Sequence, residues 1–359
     1  MEPLSQALLG AATAQVVAGR TLGRRAAAWG ALIGMSPDID VVFGGLHGGF
    51  GELLYHRGTT HSLWFGPVVG PALGWLLWTK RGEGTPLAAW QKLAAWALFT
   101  HPLLDLFTPY GTQLLAPFSR ARFAWNGVGI VDPFYTLPLA AFLIASLLAA
   151  SGSVAAVRRA AIGLALTTAY LLAGVGLNVW TASDAKAVLE RAGAPAAEVR
   201  AYPTMLQPFL RRVVAREDGE AFVGWHTTLR PGCVHGLRFT EREDDPRAQE
   251  LVKTFEGGLF HWFAMEEVTA HADPAPDGTV WVSIDDLRYG GLGSAPARSM
   301  WGVRARYGEN GARIGAVERF RRSLGDRMSL DTLERGTFGD FTGIPADPAT
   351  RCAPLAEDA

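Results

Sequence analysis

Residues 160–180 read AAIGLALTTAYLLAGVGLNVW, twenty-one consecutive positions without a charged side chain. At 1.5 Å rise per residue such a helix runs about 31 Å, the thickness of a bilayer's hydrocarbon core. Outward toward the N-terminus lie further apolar runs. Residues 133–150 and 63–79 are uncharged, and 87–107 are interrupted only by Gln91, Lys92, His101 and Asp105. Residues 3–18 and 26–46 are small, apolar and Gly-rich, flanking a basic turn at 19–25. A buried helix of a soluble protein is also apolar. Four to six such segments, with Trp64, Trp78 and Trp180 near their ends, instead predict an α-helical multi-pass membrane domain over 1–180. The first segment has no n-region charge and no convincing cleavage site, so it does not read as a removed signal peptide.

The rest of the chain has a different composition. Residues 1–180 hold 11 Lys/Arg and 7 Asp/Glu, whereas 181–359 hold 22 and 27. Past Trp180, residues 184–200 read as an amphipathic helix. Short alternating runs follow at AFVGWHTTL (221–229), HWFAMEEV (261–268), TVWVSIDDLRY (279–289) and MWGVRARY (300–307), separated by Gly, Pro and Asp. Such patterning predicts a hydrophilic, mostly antiparallel β (α+β) domain over 181–359. The net charge of −1 gives no reason to expect nucleic acid as a partner. Cys233 and Cys352 are too few for a disulfide scaffold or a zinc finger, so they leave both their pairing and the redox compartment open. Basic loops at 19–25, 80–92 and 158–159, all placed in the cytoplasm, would put 36–62, 101–132 and the hydrophilic domain on the opposite side.

The polar exceptions in the first half gather in short motifs: Asp38 and Asp40 in SPDID, His56 and His61 in HRGTTHS, His101 and Asp105 in THPLLDL, Asp132 in VDP. His101 and Asp105 are four residues apart and share a helix face. Pro102 fits the first turn of that helix, with His101 near its N-cap. Carboxylates and imidazoles in apolar surroundings are costly unless something compensates them. A divalent cation does so, and imidazole with carboxylate suits Zn²⁺, Mn²⁺ or Fe²⁺. Asp38, Asp40, His56, His61, His101 and Asp105 are therefore candidate metal ligands for one or two ions, zinc first. Asp132 could instead cap a helix ahead of Pro133, and Arg57 could clamp an anion or anchor a lipid headgroup. His226, His235, His261 and His271 lie scattered over alternating or loop sequence and receive no role.

These pieces, with the opening MEPLSQALLGAATAQ, GALIGMSPDID and THPLLDLFTPYGTQLLAPFS running to VDPFYTLPL, resemble the membrane-bound metal-dependent hydrolases. That family includes the LexA-regulated inner-membrane hydrolases of bacteria. The likeness covers about the first 140 residues. It implies a multi-pass inner-membrane protein whose inferred metal site falls on the seven His and Asp positions above. Many relatives open with His or Gln where this chain has Gln6, a weaker ligand that would act behind the first ligands. Longer members resemble this chain in carrying an extension like residues 181–359. The expected function is a metal-dependent hydrolase acting on a membrane-associated, lipid-like ester, phosphoester or amide. Asp132 would be its base and Arg57 its stabiliser of negative charge. The alternative is a non-catalytic membrane protein, a transporter or scaffold, using the cluster for ion binding or structure.

Overall fold

The computed structural model describes residues 1–217, 219–242, 244–292, 298–322 and 329–353. The chain divides into two compact units, Met1–Val175 with Met205–Pro208, and Gly176–Thr204 with Phe209–Ala359.

The first unit is helical. Helix α1 (Pro3–Leu22) turns at Gly23 into α2 (Arg24–Met35), and a 3-10 turn, Ser36–Ile39, leads into α3 (Asp40–Leu46). Helix α4 (Gly51–Tyr55) and a second 3-10 turn, Thr59–His61, precede α5 (Phe65–Arg81) and α6 (Leu87–Leu106). A cis Ala116–Pro117 bond lies in the connection to α7 (Pro133–Leu148), and α8 (Val154–Arg191) follows. Helices α1 and α2 form an antiparallel hairpin at very short range because Gly10, Gly30 and Gly34 line the seam. A Cβ on Gly30 would lie 2.3 Å from the Ala14 Cβ and 2.4 Å from the Gly10 carbonyl oxygen. Helix α6 lies against this pair, burying Trp90, Leu93, Ala94, Ala97 and Leu98 with Ala14, Ala18, Ala26 and Ile33.

This arrangement overturns the expected multi-pass domain. Among the described residues, two helical stretches are long and apolar enough to cross a membrane, Arg24–Leu46 and Val154–Arg191. Helix α7 is apolar but has 16 residues, and α5 has 17 with Pro71 inside it. Much of α6 faces protein: eleven of its 20 residues are buried, His101 and Asp105 among them, while Trp96 is exposed. Helix α1 likewise buries Ser5, Gln6, Thr13 and Gln15. An apolar run records that water is excluded and leaves open whether lipid or protein excludes it. Pro102 also departs from expectation, since it sits inside the last turns of α6 rather than in a first turn.

The second unit contains two four-stranded antiparallel sheets, each in sequential order. The first comprises β1 (Glu198–Pro203), β2 (Leu210–Glu217), β3 (Glu220–Thr227) and β4 (His235–Thr240). Helices α9 (Pro246–Lys253) and α10 (Phe255–Phe263) lead to the second: β5 (Val268–Pro274), β6 (Val280–Asp286), β7 (Trp301–Tyr307) and β8 (Arg313–Arg321). Helix α11 (Leu330–Thr337) comes last. The amphipathic helix expected over 184–200 stops at Arg191, and β1 occupies its end. The strand expected at HWFAMEEV is the end of α10 and a turn. Leu259, Phe260 and Phe263 bury at helical spacing, and Met265 and Glu266 adopt φ of 52° and 65°. Cys233 and Cys352 form a disulfide.

The glycine seam gives a direct test. Gly30→Val should push α1 from α2 and destabilise the protein by about 1–3 kcal/mol. Gly45→Ala, where an added Cβ meets nothing within 4 Å, should leave thermal unfolding of the purified protein unchanged or slightly improved.

Candidate metal centre

Four side chains from three segments converge in the first unit. Asp38 comes from the first 3-10 turn, His61 from the second, and His101 and Asp105 from one face of α6 a turn apart. One ligand atom from each lies within 4.8 Å of all the others. His61 Nε2 is 2.9 Å from His101 Nε2 and 3.3 Å from both Asp38 Oδ1 and Asp105 Oδ2. His101 Nε2 is 3.4 Å from Asp38 Oδ1 and 3.7 Å from Asp105 Oδ2. Ligands about 2.0–2.1 Å from a tetrahedral zinc are separated by about 3.3 Å, so these separations bracket that edge.

The surroundings fix which ring nitrogens point inward. His101 Nδ1 lies 2.6 Å from the Gly34 carbonyl oxygen, which can only accept, so the ring donates there and turns Nε2 inward. His61 Nδ1 faces Asp40 Oδ2 at 3.0 Å, with the Thr60 hydroxyl also 3.0 Å away. Backbone carbonyl and carboxylate partners of this kind hold metal-binding imidazoles in place. Two Nε2 lone pairs that face each other across 2.9 Å repel unless a cation or a proton lies between them. Asp105 Oδ2 is buried, with Arg57 Nε at 3.2 Å and His61 Nε2 at 3.3 Å. The donor set and the burial of its atoms both fit a divalent ion. Burial opposes a charge on His61, but hydrogen bonds to Asp105, Asp38 and Asp40 outweigh it and push its pKa up to about 10. Burial lowers the pKa of His101. Without a metal, one proton held on His61 therefore occupies the place of the cation.

The other predicted residues lie around this centre. Asp40 holds the HRGTTHS segment: it accepts from His56 Nδ1 at 2.7 Å, Thr60 Oγ1 at 2.7 Å and the Arg57 amide at 3.1 Å. His56 is thereby placed on the far side of Asp40, its ring packed edge-on against His61 and Tyr110. Arg57 is buried behind Asp105, with Nε 3.2 Å from Oδ2. It donates to the Thr108 hydroxyl and lies 4.5 Å over the Tyr110 ring. Its φ of 60° is left-handed backbone, unusual for a non-glycine residue. Gln6 donates to Asp105 Oδ1 and to the His101 carbonyl. Asp132 is the N-cap of α7, accepting from the Phe134 and Tyr135 amides, and also from the Tyr170 hydroxyl. It contributes no atom to the four-ligand group. The carbonyl of Gly34 and the side chains of Thr60, Thr108 and Tyr110 were not among the expected site residues. A backbone acceptor leaves no mark in sequence, although all four lie inside or beside the quoted motifs.

Two apolar helical stretches of membrane length, Arg24–Leu46 and Val154–Arg191, point to membrane association, and the His/Asp cluster to a candidate metal centre. The chain belongs to the YdjM inner membrane protein family, whose model matches residues 1–182. It is also similar to the "Uncharacterized protein YfhP" of Bacillus subtilis (strain 168), with 34% identity over 105 residues, or 28% of this chain. The chain thus covers 30% of that relative's length. No solved structure matches it.

Two outcomes follow from the geometry. Asp40→Asn should weaken Zn²⁺ binding by roughly 10–100-fold, the usual cost of losing a carboxylate behind a ligating histidine. Because His61 is protonated up to about pH 10, binding must expel that proton. Apparent affinity should therefore fall as pH is lowered, by up to about tenfold per unit. Competition titrations with a chromophoric chelator at several pH values check both.

Proposed function

We propose that the chain is a metal-dependent hydrolase of the bacterial inner membrane, cleaving an ester, phosphoester or amide in a membrane-associated substrate. The observation carrying this reading is the pair of inward-facing Nε2 atoms closed by two carboxylates at tetrahedral spacing. One divalent ion, with zinc first and manganese or iron next, matches two imidazoles and two carboxylates. Such an ion supplies Lewis acidity and a water of near-neutral pKa.

The chain's own residues divide the remaining work. Asp40 and the Gly34 carbonyl set the ring tautomers, and Arg57 balances the charge of Asp105. Asp38 differs from its three companions: its side chain is 25% exposed, while His61, His101 and Asp105 are at 0–1%. It is therefore the group at which substrate reaches the centre and the carboxylate best placed to take a proton there. This moves the base role from Asp132, whose oxygens cap α7 and bind Tyr170. Met35 and Ile39, flanking Asp38, are 40% and 58% exposed. An apolar rim around the one accessible ligand favours an amphiphilic substrate.

A second reading rests on the count of ligands. Four protein atoms already complete a tetrahedron, the mark of structural zinc sites, and this favours a non-catalytic ion-binding or scaffolding role. Purified protein loaded with Zn²⁺ or Mn²⁺ and assayed on lipid phosphoesters, esters and amides separates the two. The hydrolase reading expects turnover that chelation abolishes and that Asp38→Asn lowers at least tenfold even at saturating metal. Stoichiometric metal without turnover would favour the structural reading.

The disulfide supports a compartment for the second unit. Cys233 and Cys352 are 119 residues apart in sequence, with Cα atoms at 5.2 Å. Disulfides persist in oxidising compartments and are rare in the cytosol. We place the second unit on the extracytoplasmic side. Acid-trapped, non-reduced protein from intact cells should show both thiols oxidised, whereas two free thiols would contradict this placement.

A further inference from the structure

The second unit holds a cavity of about 250 Å³ that the metal centre does not use. Its floor is one face of the second sheet. Val268 and Ala270 are two apart on β5, and Ile284 is the β6 partner of Ala270. Ala248 on α9 forms a wall, and all four of these side chains are buried. Helix α9 ends at the lip with Gln249 and Lys253, and α10 contributes His261 opposite. Neighbouring basic side chains on α9 and the sheet are engaged: Arg247 with Asp245, and Arg313 with Glu250. Among the described residues, the Lys253 and His261 side chains have no hydrogen-bond or ion-pair partner.

We propose that this cavity binds a medium-chain aliphatic carboxylate, its chain on the sheet face and its anionic end at Lys253 and His261. An apolar floor with a few converging polar groups at one end is the usual build of a small-molecule site. The volume is just under the roughly 300 Å³ at which drug-sized pockets begin and above the about 150 Å³ that takes up benzene. That suits a chain of several carbons and excludes a whole phospholipid. The lip offers one ammonium, one imidazole and one amide. A lone ammonium is a point charge that matches a monoanion, and among the described residues no guanidinium fork for bidentate phosphate recognition lines the cavity. The proposal is independent of the chemistry of the metal centre.

The test uses the full chain in lipid nanodiscs, titrated calorimetrically with octanoate and with octanamide as the uncharged control. Wild type should bind one octanoate, with octanamide at least tenfold weaker. Lys253→Gln, a change at an exposed position, should weaken octanoate tenfold or more while leaving octanamide unchanged. Ala248→Leu should fill the cavity and abolish both. Equal binding of acid and amide, octanoate binding unaltered in both variants, or no saturable binding would each overturn the assignment.

Discussion

Two imidazoles held nose to nose set the terms for everything around them. Once the Gly34 carbonyl claims His101 Nδ1 and Asp40 faces His61 Nδ1, the opposing nitrogens must share a positive charge. Without one, the lone pairs and two carboxylates would make the pocket untenable in a buried setting. The helical scaffold reads as the means of imposing that geometry. Gly10, Gly30 and Gly34 let α1 and α2 close, which brings a backbone oxygen from α2 within 2.6 Å of the ring on α6. Asp40 then ties the HRGTTHS turn to the same place through four donors.

The motifs were legible because their residue types are out of place. Carboxylates and imidazoles in apolar sequence announce a compensating charge, and the i, i+4 spacing of His101 and Asp105 reads at sight as one helix face. What sequence could not apportion was rank within the group. His56 and His61 look equivalent in sequence, yet His61 presents Nε2 to Asp38 and Asp105 while His56 turns Nδ1 to Asp40, with left-handed backbone at Arg57 between them. Asp132 was ambiguous between cap and base, and the caps it supplies to α7 use its oxygens.

The fold was legible in part, and its error is instructive. Composition reports exclusion of water and nothing more, so an apolar run reads as lipid-facing until its neighbours are known. In α6, Trp90, Leu93, Ala94, Ala97 and Leu98 face other helices, and the stretches of membrane length reduce to Arg24–Leu46 and Val154–Arg191. In the second half, short runs rich in β-branched and aromatic residues between Gly, Pro and Asp located β3, β6 and β7, although β3 and β6 are buried at consecutive positions rather than on one face alone. The same signal failed at HWFAMEEV, since a short aromatic run satisfies both periods until its buried partners are known. The cysteine pair, 119 residues apart, carried no spacing signal at all.

The central claim is that one cation sits between His61, His101, Asp38 and Asp105. X-ray absorption at the zinc edge of the loaded protein measures its shell directly. The account predicts a four-coordinate shell of two imidazole nitrogens and two oxygens at about 2.0–2.1 Å. In His101→Ala one nitrogen should be lost. An all-oxygen shell of six light atoms, or a spectrum indifferent to that substitution, would contradict it.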